Sequence, residues 1–311
     1  MKIKSLLSVL LVVILTLFGC NKQEATEPSK NKNVLTVYTT VYPLEDFAQK
    51  IGGDYVQAKS IYPPGVEAHT FEPTTRTIKQ LADADAFIYI GEGMEGFVDQ
   101  TIQTLKNEHV TLVEGAKGIE FLDSTREHEE NGEEHNDGDK DPHVWLDPVL
   151  SVQIAENIKN ALIELKPEAK DTFEKNFASL KQQLQQLDEQ FQTIVKNAPK
   201  KEILVSHAAY GYWTKRYGIQ QLSIAGLSPS NEPSQKELAQ IIDTAKKYHI
   251  RYVIFEQNVT PKVADIVKNE IGADVLRLHN LEARTKEDIE KNKDYIAIMK
   301  ENLEVLKKAL Q

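Results

Sequence analysis

The chain has 311 residues, 41% of them hydrophobic, with a formal net charge of −10 and a single cysteine. This is the composition of a globular protein with room for two domains of ordinary size. Its acidity excludes nucleic acid as a partner, because the phosphates would repel it, and one cysteine allows no disulfide within the chain.

Residues 1–19 read as a signal segment. Lys2 and Lys4 precede an apolar run from Leu6 to Phe18, shorter than the roughly 20 residues that cross a bilayer. The run ends in Leu17-Phe18-Gly19-Cys20, the form of a bacterial lipobox. Small Gly19 suits a signal-peptidase cleft, and Cys20 becomes the lipid-modified first residue of the mature chain. The only cysteine falls where a lipobox needs it. Losing Lys2 and Lys4 takes the charge from −10 to −12. Polar residues 20–33 read as a flexible tether, so the folded body is expected at a bacterial cell membrane, lipid-anchored and facing outside the cytoplasm.

From residue 34 to 166 the pattern alternates. Strands are predicted at Val34–Tyr38, Val56–Ile61, Ala86–Ile90 and Val110–Val113, with helices at Leu44–Ile51, Ile78–Ala84 and Phe97–Leu105. Short β-rich runs separated by helical stretches indicate parallel βαβ units. Residues 126–141 interrupt this lobe with eight acids against Arg126 and Lys140, a net of −6, with His128 and His135 embedded. No apolar periodicity is present, so the segment reads as a mobile loop. It is either a solvated insertion or a low-affinity cation collector, since His and carboxylate tracts attract metal ions.

Residues 167–198 differ. Phe173, Phe177, Leu180, Leu184, Leu187, Phe191 and Ile194 form one apolar stripe on a helix. Pro167 suits a first turn, and the length fits a rod joining two lobes; the alternative is a coiled coil. The βα pattern then returns over 199–311: strands Ile203–Ser206, Tyr252–Phe255 and Val275–Leu278, helices Ala208–Tyr217, Leu238–Tyr248, Pro261–Ile271 and about Lys286–Leu310. The expected fold is α/β, with two similar (β/α) lobes, each holding a mainly parallel sheet, joined by one long α-helix.

Four side chains are candidates for one site: His69, His143, His207 and Glu282. Imidazole nitrogens suit zinc and its first-row neighbours, and one carboxylate partly offsets the charge of a divalent ion. His69 follows the second strand, and His207 abuts Ile203–Ser206. Glu282 lies four residues past Leu278, and His143 precedes the helix starting near Val149. Ligands of parallel α/β sheets bind beyond the carboxyl ends of the strands, so a metal held by all four sits in the cleft. Asp147 is a candidate to orient His143, and Glu256 is a candidate ligand or supporting group. His279 reads as a bystander, and His109 and His249 as surface residues.

Several motifs, quoted as they stand, carry a resemblance. They are Tyr62-Pro-Pro-Gly before His69, His69-Thr-Phe-Glu-Pro, Asp141-Pro-His-Val-Trp-Leu-Asp-Pro148, Ser206-His-Ala-Ala-Tyr-Gly-Tyr212 and the lipobox. Over the whole mature chain the sequence resembles the solute-binding lipoproteins of ABC importers for zinc and manganese, specifically the zinc-binding branch. The resemblance implies two lobes, a rigid linking helix, an interlobe metal site and Zn(II) as the captured ion. It carries ligand positions onto His69, His143 and His207, and the fourth best matches Glu282, with Asn280 and Glu256 close to the same region. Manganese-type relatives have a carboxylate where this chain has His207, and nitrogen there favours zinc. The implied partners are the permease and ATPase subunits of an ABC importer, with the chain itself a monomer. The competing readings are a manganese-importer component, a surface adhesin, for which relatives have been named, and a zinc hydrolase. Against the last, four protein ligands close the coordination sphere, and the chain has no His-Glu-x-x-His helix.

Overall fold

The computed structural model describes residues 34–123, 140–257 and 262–311. The readings for the signal segment, Cys20, the tether, and His128 and His135 lie outside the described residues.

Beginning at residue 34, β1 (Leu35–Thr39), α1 (Tyr42–Gly52), β2 (Val56–Ser60), α2 (Thr75–Ala82), β3 (Ala86–Tyr89), α3 (Val98–Leu105) and β4 (Thr111–Glu114) form the first lobe. Its sheet has the order β2-β1-β3-β4, and all neighbours are parallel. Central β3 begins with buried Ala86, Phe87 and Ile88, as expected of a strand covered on both faces. Helix α1 carries Pro43 in its first turn and buries Leu44, Phe47, Ala48 and Ile51, one face at helical spacing.

A small antiparallel pair, β5 (Leu122–Asp123) and β6 (Lys140–Asp141), follows. Then come α4 (Pro148–Leu165) and, after a 3-10 turn at Pro167–Ala169, the 28-residue α5 (Lys170–Asn197). At about 1.5 Å per residue α5 is roughly 40 Å long. It buries Phe173, Phe177, Leu180, Leu184, Leu187, Phe191 and Val195.

The second lobe contains β7 (Glu202–Val205), α6 (Gly211–Tyr217), β8 (Gln220–Ser223), α7 (Gln235–Lys247), β9 (Tyr252–Glu256), α8 (Lys262–Ile271), β10 (Asp274–Leu278), α9 (Lys286–Glu290) and α10 (Tyr295–Ala309). Its sheet, β10-β9-β7-β8, is also parallel throughout. Helix α5 packs on α1 and α4 of the first part and on α6 and α10 of the second, so one apolar core runs through both. A smaller core lies in the second lobe between its sheet and α7 and α8, around Leu204, Ile241, Val253, Phe255 and Val267.

Several expectations need correcting. The edge strand β8 was not foreseen, because Gln-Gln-Leu-Ser offers no apolar run and none of its residues is fully buried. The helix expected from Ala208 begins at Gly211. The single last helix is two, α9 and α10, separated at 291–294 where Asn292 turns left-handed (φ 49°) and Asp294 caps α10. The stripe of α5 ends on Val195, with Ile194 half-buried. The acidic segment does not extend to Asp141 as a solvated loop: Asp141 pairs in β6 and is buried. Among the described residues no helix is long and apolar enough to cross a membrane.

Candidate metal centre

Each sheet reverses its strand order once, between β1 and β3 and between β7 and β9, and the crevice beyond the strand ends there is where open α/β sheets bind ligands. His207 lies just beyond β7, and Glu256 ends β9. On the first sheet the same place holds Glu95, which nothing local in the sequence singled out. Its carboxylate accepts from Thr40 Oγ1 (2.6 Å) and from the N–H groups of Ile90 (2.9 Å) and Gly91 (3.0 Å). It thereby ties together the ends of β1 and β3.

The four candidates converge, with one donor atom from each lying within 4.8 Å of the others. Nε2 of His143 is 3.3 Å from Nε2 of His69 and 3.4 Å from Nε2 of His207. Glu282 Oε1 lies 3.4, 3.7 and 4.0 Å from Nε2 of His69, His143 and His207. Four donors at about 2.0–2.1 Å around a tetrahedral centre are about 3.3–3.4 Å apart, so the cluster has nearly that size. Glu282 Oε1 is buried with no hydrogen-bond partner, which is costly unless something else satisfies it. His143 and His207 side chains are fully buried and Glu282 nearly so, while 9% of His69 is exposed. The cluster therefore meets solvent on the His69 side.

Local structure explains each placement. After β2, Pro63-Pro64-Gly65 turns the chain, with Gly65 left-handed (φ 76°). The Glu67 carboxylate then accepts from His69 N (3.0 Å), Thr70 N (2.9 Å) and Thr70 Oγ1 (2.6 Å), closing the turn that carries the imidazole. His143 stands before a 3-10 turn, Val144–Leu146. That turn is fastened by Trp145 Nε1 donating to Asn280 O (2.8 Å) and Trp213 Nε1 donating to Leu146 O (2.7 Å).

The group that orients His143 is Asp141, not Asp147. Asp141 Oδ1 accepts from His143 N (3.0 Å) and Nδ1 (2.8 Å), and Tyr212 OH donates to Asp141 O (2.7 Å). Asp147 instead caps α4 through Val149 N (2.8 Å) and pairs with Arg216 Nε (2.5 Å). Two residues away, a carboxylate can fold back on the ring; four places away, Asp147 is committed to the helix end. Glu256 does contact His207: its Oε1 takes Nδ1 of the ring and Ser206 Oγ (2.9 Å), and Asn280 Nδ2 donates to Oε2 (3.2 Å). A proton held on Nδ1 by Asp141 and by Glu256 leaves the Nε2 lone pairs of His143 and His207 facing the centre. Asn280 braces this arrangement and is not a member of the cluster. His279 is buried but engaged with Asp288 (3.1 Å), while His109 and His249 are exposed.

The electrostatics match this geometry. Burial pulls the His143 imidazolium down, but Asp141 and Glu282 outweigh it and leave the group pushed up to about 9. Burial pushes Glu282 up, yet the surrounding imidazoles of His143, His69 and His207 hold it well below the usual carboxylate range. Burial raises the Tyr62 and Tyr210 hydroxyls well above the ordinary value, and the charge of Glu282 adds to both. These rings stay neutral beside the cluster.

A family model described as the periplasmic zinc-uptake complex component A, ZnuA, matches residues 37–309. The chain belongs to the ZnuA family. A Bacillus subtilis (strain 168) relative named high-affinity zinc uptake system protein ZnuA is 38% identical over 308 residues, covering 98% of this chain and 97% of that protein. The Streptococcus pneumoniae (strain R6) zinc-binding lipoprotein AdcA is 34% identical over 97% of this chain, which spans 60% of that longer protein. Among solved structures, the Zn(II)-bound ZnuA-like domain of S. pneumoniae AdcA matches with a TM-score of 0.75 at 33% identity, covering 89% of this chain and 99% of that one. The laminin-binding protein Lmb of Streptococcus agalactiae, described as bifunctional with adhesin and metal-transporting activity, matches with a TM-score of 0.79 at 31% identity, covering 89% and 100%. The ZnuA-family match spans both lobes and the helix between them.

Proposed function

We propose that this protein captures Zn(II) between its lobes with His69 Nε2, His143 Nε2, His207 Nε2 and Glu282 Oε1, and delivers it to the permease of an ABC importer. The observation that carries the reading is Glu282 Oε1, a buried oxygen without a hydrogen-bond partner that faces three imidazole nitrogens at 3.4 to 4.0 Å. Three nitrogens and one oxygen at tetrahedral spacing suit zinc better than manganese, which favours oxygen-rich octahedral sites. The family and its zinc-named relatives support the same ion.

A closed four-ligand sphere suits binding and release rather than hydrolysis, which needs an open position for water. The expected partners are a permease and its ATPase, with the protein held at the membrane by lipid on Cys20 and acting as a monomer. Residues 34–166 and 199–311 serve as the two jaws, and 167–198 as their connection. The acidic stretch with His128 and His135 gathers ions at low affinity.

Metal analysis of protein purified without added metal, followed by competition between zinc and manganese, tests the assignment. One tightly held zinc per chain is expected, and preferential retention of manganese would overturn it. The likeness to Lmb favours one second reading, adhesion. Deletion that impairs growth in chelated medium, with recovery on added zinc, separates import from adhesion.

A further inference from the structure

The cluster's single carboxylate comes from an unusual turn. Leu281, just before Glu282, is fully buried and left-handed, with φ 62°, a conformation that bulky side chains rarely adopt. Such backbone persists only where its surroundings over-determine it. Two side-chain acceptors do so here. The N–H of Leu281 donates to His279 Nδ1 (2.9 Å), and the N–H of Glu282 donates to Asn280 Oδ1 (3.2 Å).

His279 is itself held from three sides. Its backbone N donates to Asn302 Oδ1 (2.8 Å), and its carbonyl accepts from Asn302 Nδ2 (2.8 Å), tying it to α10. Because Nδ1 accepts from Leu281, the ring proton lies on Nε2, which donates to Asp288 Oδ2 (3.1 Å). Asp288 is fixed in turn by Thr285 in the capping box of α9. The imidazole is therefore a rigid acceptor standing where the turned chain needs one.

We propose that His279 is a positioning residue for the fourth ligand: by accepting the Leu281 N–H it holds the left-handed turn and so aims the Glu282 carboxylate at the three imidazoles. It touches no metal. The inference rests on the zinc-binding reading above. It assigns a task to a histidine outside the cluster and makes the carboxylate's direction depend on an acceptor atom three residues earlier.

The test uses the full-length protein carrying His279→Ala, His279→Asn or His279→Gln. Zinc affinity is measured by competition with a chromophoric chelator, Co(II) absorption reports the coordination geometry, and thermal melts check the fold. Asparagine places an oxygen near the position of Nδ1, whereas the functional end of glutamine reaches toward that of Nε2. Expected are losses of about tenfold or more for the Ala and Gln variants, as for other groups that orient ligands, with His279→Asn within about threefold of wild type. The tetrahedral Co(II) bands should weaken in the same two variants. Adding His279→Gln to Glu282→Ala should cost less than about threefold more, because a residue that acts only through Glu282 has nothing left to aim. Wild-type affinity in His279→Ala, equal losses in the Asn and Gln variants, or additive losses with Glu282→Ala would overturn the role while leaving zinc binding intact. A wild type without zinc affinity would instead overturn the functional reading beneath it. Should the His279 variants lose their cooperative melt, Leu281→Gly and Leu281→Ala decide. Both remove nearly the same packing, but glycine accepts the left-handed backbone and should bind at least about threefold more tightly. Equal affinity of that pair refutes the proposal.

Discussion

The backbone N–H of Tyr42, at the start of α1, donates to the carbonyl of Glu282 at 3.0 Å, so the carboxylate that follows the last strand is fastened to the first lobe. Nearby contacts extend the attachment. Gly65 N donates to Arg284 O (3.0 Å), Arg284 pairs with Glu45 (2.7 Å), and Lys50 pairs with Asp294 (2.9 Å). The loop that carries His143, earlier in the chain, is held on either side of it by Tyr212, which donates to Asp141 O, and Trp213, which donates to Leu146 O, both of α6. The attachments thus cross the order of the sequence: Glu282, after the last strand, is bonded to the first lobe, and the loop of His143 to α6 of the second.

On removal of zinc, Glu282 should therefore stay beside Tyr42 and His69, while the Nε2 distance between His69 and His143 lengthens. Helix α5 limits the lobe shift to a small one. Crystal structures with and without zinc measure both. A Glu282 that leaves with His207, or a wide hinge closure, would contradict the attachment.

His143→Ala should weaken zinc binding by orders of magnitude, whereas His109→Ala, on an exposed loop, should leave it unchanged. Zinc should also raise the melting temperature of the wild type. At a thousandfold excess over Kd the native state gains about 4 kcal/mol by mass action. Calorimetric scans of both variants check this, and equal zinc-induced shifts would remove His143 from the site.

Proton competition gives a pH dependence with a definite sign. With His143 pushed up to about 9 against an unfolded value of about 6.5, its pairing with Asp141 and Glu282 supports the metal-free protein fully below about 6.5. That support is lost as pH rises through about 9. Zinc must displace the proton. Apparent affinity should thus climb about tenfold per pH unit toward 9, and near pH 7.5 binding should release close to one proton. Titration calorimetry in buffers of different ionisation enthalpy counts that proton, and none released would exclude the His143 assignment.

Gly211→Ala should weaken zinc without touching a ligand. A Cβ at Gly211 would lie 2.4 Å from Asp141 Oδ2, forcing aside the carboxylate that holds His143. A loss of about tenfold is expected, as for other groups behind metal-bound histidines. Gly96→Ala, which meets nothing within 4 Å, is the control. If both variants bind like wild type, Asp141 does not orient the ring.

Periodicity and composition determined much of this protein by themselves. The stripe from Phe173 to Phe191 specifies α5, because apolar spacing of three and four makes one helical face. The apolar runs at Ala86–Ile90 and Tyr252–Phe255 specify buried strands, and positions in the loops that follow β2 and β7 mark His69 and His207 as candidate ligands. Strand β8 escaped, since the ladder with β7 that makes Gln220–Ser223 a strand leaves no trace in four mostly polar residues. Only tertiary structure decided which partners stand behind the histidines. Glu256 reaches His207 across 49 residues and Tyr212 reaches Asp141 across 71, and contacts of that separation depend on how sheets and helices pack. The same holds for the fourth carboxylate. Local pattern put Glu282 near a strand end, but the left-handed Leu281, the His279 acceptor and the bond to Tyr42 aim it, and each arises from the packing of distant segments against one another.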